Sequence, residues 1–484
     1  MPANYLHGVE TIERETGARP VKVVKSAVIA LIGTAPIGPL NEPTLCLSET
    51  DAEQFGKAAH RFANPDNYAF TIPQALKSIY DFGAGTVIVV NVLDPNVHKT
   101  FVPGQPVVFN PVTNRARLPH RDVWHLTLKD VTNKTEFVYG ADYIYDRASD
   151  EYVRIEGGAL VPNVQYYAHY NFADPNKVTA ADIIGGVDAA GRRLGMKALK
   201  DTFNLYGFSA KILISPMYGC LNSVAAELDS MANQLGAIAY IDAPIGVTFD
   251  RAMAGRGPSG AINFNTSSDR VRLCYPHVKV YDPTMDTEHL EPLSIRAAGL
   301  RAKVDLDKGY WWSSSNQPLI GVTGVERPLT AMIDDPQSEV NLLNEAGITT
   351  VFSSYGSGYR LWGNRTAAFP TVTHMRNFEN VRRTGDVINE SLRYFSLQYI
   401  DMPIDNALID SLIESVNGFG RKLIGDGALL GFKAWYDPSR NPEQELAAGH
   451  LLINYKYTVP PPMERLTFET EITSEYLLTL KGGK

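Results

Sequence analysis

The sequence predicts a multidomain α/β (α+β) protein: an α/β core interrupted by an inserted all-β module and followed by a C-terminal α+β domain. Three observations predict it. Apolar runs such as "AVIALIG" and "TVIVVNVL", which read as buried strands, alternate with amphipathic helical patterns, which is an α/β arrangement. Between Pro95 and Val178 that alternation gives way to short strands separated by turn residues. After Pro370, two long amphipathic patterns precede a strand, three prolines and a last alternating segment.

In chain order, residues 1–25 are polar, with the short apolar set Tyr5, Leu6, Val9 and Ile12, too little to fold alone, and read as an N-terminal arm. The core begins at "SAVIALIGTAPIGP" (26–39), a buried strand ended by glycine and proline. "TLCLSETDAEQFG" predicts a strand leading into a short helix. "TIPQALKSIYDFG" places Ile72, Leu76 and Ile79 at helical spacing, and 86–94 is a buried strand. The 95–178 segment is read as an insertion between the two parts of the core, 26–94 and 179–370.

The α/β pattern resumes at Thr179, where "TAAD" forms a capping box. "SAKILISPMY" is a strand, and "CLNSVAAELDSMANQLG" puts Leu221, Val224, Ala225, Leu228 and Leu235 on one helical face. "AIAYIDAP" and "RVRLCYPHVKVYDP" are further strands, "EPLSIRAAGLRAKVD" a helix, and 348–366 a hairpin. The C-terminal domain, 371–484, has one helix carrying Ile388, Leu392, Phe395 and Tyr399. A second carries Ile404, Leu408, Leu412, Val416 and Phe419, and "GHLLINYKYTV" is a strand.

Bulk properties exclude several function classes. The chain of 484 residues is 44% hydrophobic and 20% charged, an ordinary globular composition. A net charge of -8 argues against a duplex nucleic-acid binder, whose affinity comes from neutralising phosphates. The N-terminal stretch has neither a basic region nor an apolar core, so no secretory signal is expected, and no apolar run approaches the ~20 residues that span a bilayer. Three widely spaced cysteines, Cys46, Cys220 and Cys274, suit a reducing compartment. A soluble protein made in the cytoplasm is expected, and the sequons at Asn133, Asn265, Asn364 and Asn389 are chance matches.

No motif assembles a catalytic centre, and no cofactor or metal is expected. Gly255-Arg-Gly257-Pro-Ser-Gly260 has the spacing of a dinucleotide fingerprint. That fingerprint needs a strand before it and a helix after it, whereas Pro258 lies inside and the following "AINFN" reads as a strand. An α/β enzyme using this loop, of an oxidoreductase type, is the alternative reading of the chain. His120 and His125 lie five apart in a β segment and point to opposite faces, unsuited to sharing a metal. Asp334 and Asp335 before Pro336 read as a turn or a helix cap. A long chain of α/β units without chemistry points to a structural role.

The last segment raises the question of a partner. Pro460–Pro462 form a stiff spacer without backbone donors. The strand pattern after it, within 464–480, puts Leu466, Phe468 and Ile472 on one face and charged or hydroxyl side chains on the other. It either closes the chain's own sheet or offers a bare edge to another chain.

Several stretches, in order, resemble contractile phage tail sheath proteins, including the related sheaths of phage-tail-like bacteriocins. "YLHGVETIE" resembles the opening arm of that family, and "AVIALIGTAPIGP" its first strand and Gly-Thr-Ala turn. "GYRLWGNRT" (358–366), with Trp362, Gly363, Arg365 and Thr366, resembles its W-G-x-R-T segment. Two helices followed by a terminal strand match in order as well. The resemblance covers nearly the whole chain and implies a non-enzymatic virion subunit, assembled in the host cytoplasm. It implies a helical homopolymer around a tail tube, with tube, baseplate and tail terminator proteins as partners, and contraction that drives the tube through the host envelope. It implies terminal arms exchanged between subunits, carried by Tyr5, Leu6, Val9 and Ile12 at one end and Leu466, Phe468 and Ile472 at the other. Within it, Arg365 braces the hairpin or an interface above Trp362, or is a plain surface arginine beside a core tryptophan. Arg421 and Lys422 face an acidic tube, or simply end a solvated helix.

Overall fold

The computed structural model describes residues 21, 23–56, 70–83, 85–120, 123–146, 149, 151–257, 260–282, 286–354, 356 and 358–477. Tyr5, Leu6, Val9 and Ile12 lie outside them.

The apolar runs form the middle of a nine-stranded sheet. Its strands are β1 (Val28–Gly33), β2 (Thr44–Cys46), β3 (Thr86–Asn91), β4 (Ile212–Ile214) and β5 (Ile238–Asp242). They continue with β6 (Val271–Cys274), β7 (Gln317–Pro318), β8 (Ile348–Ser354) and β9 (Gly358–Trp362), in the order β7-β9-β8-β6-β5-β4-β1-β3-β2. The six strands from β8 to β3 are parallel, and Ala30 of β1 faces Leu213 on one side and Ile88 on the other. Burial on both faces explains why these strands read as unbroken apolar runs. Antiparallel strands flank them, and β8–β9 is the hairpin read from 348–366.

Helices α1 (Thr71–Tyr80), α2 (Asn222–Leu235) and α3 (Leu293–Asp307) pack on this sheet. On α2, Val224, Ala225 and Leu228 are buried, while Leu221 and Leu235 pack partly against the core at its ends. The turn after β1 is closed by the chain itself. Thr34 N donates to Thr71 Oγ1 at 3.0 Å, Thr71 N donates to Thr34 Oγ1 at 3.2 Å, and Ala35 N donates to Asn91 Oδ1 at 2.9 Å. A Cβ on Gly33 would lie 2.2 Å from Thr71 Oγ1, so glycine is required for this closure. In doubly wound folds ligands sit at the carboxyl ends of the strands; here the amides after β1 are already taken.

From Lys99 to Ala173 the described elements are all strands, in sheets of their own around a separate core of Phe109, Leu128, Phe137, Tyr143, Tyr166 and Tyr170. The segment leaves and returns at one place: Asp174 N donates to His98 O at 2.9 Å.

A third core is built by α4 (Glu379–Ser396), α5 (Asn406–Gly425) and the antiparallel pair β10 (Gly431–Tyr436) and β11 (Ile453–Thr458). Gly420 lets α5 lie on β10, since a Cβ there would meet the Phe432 ring at 2.2 Å. Ile388, Phe395, Leu412, Val416 and Phe419 are buried in this core as their spacing predicts. Two residues assigned to these helices lie outside them. Ile404 precedes the Asp405 cap, whose side chain accepts from Leu408 N and starts the helix later; Tyr399 sits in a 3-10 turn beyond α4.

Two further readings are corrected. "AINFN" is a turn, because Arg256 in the glycine loop draws the chain in, donating to the carbonyls of Phe264 at 2.8 Å, Ala346 at 2.7 Å, Ala367 at 2.7 Å and Phe369 at 3.0 Å. A helix, Phe249–Ala254, precedes that loop where a dinucleotide site needs a strand. The segment after Glu464 makes no ladder among the described residues: 464–473 has no helix or strand, and 475–477 is a 3-10 turn. Among the described residues it does not join the chain's own sheet.

Candidate assembly site at the root of the C-terminal arm

The "WGNRT" segment is where the hairpin leaves the large sheet and meets the first turn of α4. Gly363 makes the bend at φ 124°, with Thr349 Cα only 3.0 Å from where a Cβ would stand. The chain then locks to residues 377–379. Thr366 N donates to Asn377 O at 2.8 Å, Glu379 N donates to Asn364 O at 2.9 Å, and Arg365 bridges Phe378 as an isolated antiparallel pair.

The Arg365 side chain continues across this junction to the C-terminal arm. Its guanidinium lies between the rings of Phe369 and Phe378, 4.1 Å from each centroid, and donates to Asn377 Oδ1 at 2.7 Å. The remaining edge grips Glu464 in a fork, Nε to Oε1 at 2.9 Å and Nη2 to Oε2. Arg365 therefore holds the root of the arm, not the hairpin. Trp362 does not lie under it but stacks on Phe352 at 4.7 Å. With Trp311 and Trp312, Trp362 lines a groove of about 500 Å³ whose other wall is Pro460–Glu464.

One residue beyond Phe378, Glu379 enters a buried charge network that joins α4 to the large sheet. Arg272 of β6, with no exposed surface, donates to Glu379 Oε2 at 2.5 Å, Thr349 Oγ1 at 2.8 Å, Ser314 Oγ at 2.8 Å and Gly363 O at 2.5 Å. Tyr240 donates to the other Glu379 oxygen. Burial alone would raise the Glu379 pKa; the positive field of Arg272, Arg301 and Arg383 outweighs it and holds the carboxyl below its ordinary value. Farther along α4, Asp386 pairs with Arg270, Arg383 with Asp305 of α3, and Glu390 with Lys211. Arg365, on Asn377 and Phe378, and Arg272, on Glu379, thus hold adjacent residues at the start of the same helix.

Beyond Glu464 the arm is bare. Leu466, Phe468 and Ile472 are 60%, 81% and 102% exposed. Its base, Val459, is buried in the third core, and so is Val21 at the start of the described chain. Both ends of the chain root in one small core. Arg421 and Lys422 sit exposed near the end of α5, where Arg421 reaches Glu414 at 2.5 Å.

Sequence reading missed Glu464, Phe369, Phe378, Arg272 and Glu379. A signal existed for Arg272 alone: a charged residue inside an apolar strand pattern implies a buried partner. The other candidates for chemistry are inert. Burial pushes the Cys46 thiol up to about 12 and Cys220 to about 11, and Cys274 well above its ordinary value. His120 bonds the Tyr170 hydroxyl at 2.8 Å and stacks on Phe172, and Asp335 accepts from Gln337 N in a turn. Among the described residues no group of His, Cys, Asp and Glu is placed to hold a metal, and no helix is long and apolar enough to cross a membrane.

Residues 176–367 match the family described as the phage tail sheath protein central domain, and 371–473 the phage tail sheath C-terminal domain. The chain is 72% identical over all 484 residues to the tail sheath protein of Burkholderia phage BcepMu, with both chains covered in full. It is 31% identical over 302 residues to that of Escherichia phage P2, covering 62% of this chain and 73% of the relative. The fold is similar to the anti-feeding prophage helical sheath in its contracted state, with a TM-score of 0.58 at 17% identity over 97% of this chain and 99% of that one. It is also similar to the contracted PVC sheath complex of an extracellular contractile injection system, with a TM-score of 0.57 at 12% identity over 98% and 99%. The relatives are structural proteins, and the enzyme reading of the glycine loop is not supported. The chain belongs to the phage tail sheath family.

Proposed function

We propose that this subunit polymerises around a tail tube in a metastable extended state and contracts to drive the tube through the host envelope, its terminal arms exchanged between neighbours. The observation that carries the reading is the pairing of a deficit with a surplus. The β10–β11 sheet has two strands and no third strand beside it among the described residues. Asn417 of α5 takes the N–H and C=O of Ala434 on the outer side of β10, while β11 has no partner strand on its outer side, and an isolated pair is marginally stable. The same core roots two arms, and the C-terminal one presents apolar side chains with nothing covering them. A strand received from a neighbour would cover the open side of this pair, and the strands given away would do the same elsewhere, without new chemistry. From Glu464 to Leu477 the arm spans about 45 Å when extended, enough to reach an adjacent subunit.

In this reading 1–25 is an arm, 26–94 with 179–370 the α/β core, 95–178 an outer module, and 371–484 the polymerising domain. Arg421 and Lys422, exposed on α5, face the tube. Tube, baseplate and tail terminator proteins are the partners, and assembly takes place in the host cytoplasm. Contraction repacks preformed bodies and needs no nucleotide; shifting a two-state element from 1:99 to 99:1 takes roughly 5.5 kcal/mol, shared among coupled subunits.

The test is deletion of residues 1–20 and 464–484 together, followed by sedimentation and electron microscopy. A folded monomer is expected. Tubes of normal length would refute the exchange.

A further inference from the structure

We infer that Arg365, Glu464 and the tryptophan groove form a latch that fixes the direction in which the C-terminal arm leaves the subunit, Arg365 being a positioning residue. This rests on the exchange reading above and names the device that aims the arm.

Three features place the latch. The first is the guanidinium itself. Flanked by Phe369 and Phe378 and tied to Asn377, it is held in one plane before it meets the arm. A fork held in one plane loses little freedom on accepting a carboxylate. The second is the spacer. Pro460–Pro462 have no N–H and cannot be held by a ladder; they line one groove together with Trp311, Trp312 and Trp362. Aromatic grooves are the usual receivers of polyproline segments. The third is the change at Glu464. Val459 is buried and the chain is exposed at Pro461 and from Met463 to Ile472, but Glu464 is gripped by Arg365, whereas no side chain from Arg465 to Ile472 has a hydrogen-bond or ion-pair partner among the described residues. Order imposed on the arm ends at the latch.

The geometry also sets a load path. Tension on the arm passes from Glu464 to Arg365, to Asn377 and Phe378, to Glu379 and then Arg272 in the large sheet. A pull from a neighbour therefore acts on the core directly, without stretching the β10–β11 pair.

Burial raises the pKa of all three native thiols, which disfavours their labelling, and the chain without added cysteines serves as the background control. Spin labels at Glu345→Cys and Thr470→Cys, both exposed positions, report the distance from core to arm in the dilute full chain. Arg365→Ala and Glu464→Gln are each expected to broaden that distance distribution about twofold or more, and to shorten sheaths about fivefold by electron microscopy. Glu464→Gln lies outside every core and leaves the melting temperature unchanged, which separates lost aim from lost folding. Arg365→Lys, which keeps the charge but not the fork, falls between. Unchanged distributions in both Arg365→Ala and Glu464→Gln would overturn the latch. The readout on the dilute chain needs no polymer, so failure of the exchange reading, seen as normal tubes from the armless chain, is a separate result.

Discussion

Replacing Arg272 by methionine tests whether the C-terminal domain is riveted to the core. The substitution removes a charge with no exposed surface and leaves Glu379 ionised in a site whose side chain is 3% exposed. Breaking a buried pair from one side costs about 3–5 kcal/mol, here toward the lower end, because Glu379 loses its direct partner and keeps only the field of Arg301 and Arg383. The Gly363 carbonyl and the hydroxyls of Ser314 and Thr349 lose a donor as well. At roughly 2 °C per kcal/mol for a unit of this size, the melting temperature should fall by about 6–10 °C. Calorimetry on the full chain reads this, with hydrogen exchange of the 379–396 amides to localise it. The double variant Arg272→Met, Glu379→Met should recover about half the loss, since no charge is stranded, although Tyr240 then lacks its acceptor. A single variant melting within about 2 °C of wild type, or a double variant worse than either single, would refute the argument.

Other consequences can be checked separately. Because the folded Glu379 pKa is depressed, its stabilisation is fully present above the ordinary value of 4.5 and is lost as pH falls from there through the folded value. Wild type should therefore lose melting temperature more steeply than Glu379→Gln below that pH, and equal slopes would contradict the assignment. Charge reversal at Arg421 and Lys422 should promote premature contraction, more at low salt, where exposed charges act furthest; sheaths that stay extended on their tubes at every ionic strength would remove these residues from the tube contact. Replacing residues 99–173 by a short Gly/Ser linker should preserve tube formation, because His98 and Asp174 already meet. Loss of assembly with the remaining fold intact would place the module at an interface.

The elements legible in the sequence were those whose burial is periodic. The strand at 28–33 and the helix at 222–235 are specified by runs and spacings that one face of solvent or core imposes. What escaped was set by contacts distant in sequence. Arg272 and Glu379 are 107 residues apart, and Arg365 and Glu464 are 99 apart. No spacing announces such pairs; only a charge inside an apolar pattern hints at one. "AINFN" failed for a related reason: alternation over five residues fits a strand, but there the chain turns, with the Phe264 carbonyl held by Arg256. At the arm the pattern alone names half of an interaction, because the edge that a strand pairs with lies elsewhere. The resemblance rested on ordered motifs and reached the family; the side chains that hold "WGNRT" in place became visible only in three dimensions.

The central claim is strand exchange, and a reconstruction of the assembled sheath tests it most directly. Density for residues 466–472 should run as a strand along the β10–β11 sheet of a neighbouring subunit, continuous with a Glu464 still gripped by Arg365 of its own. An arm folded onto its own β10–β11 sheet, or one left uncovered between subunits, would contradict the account.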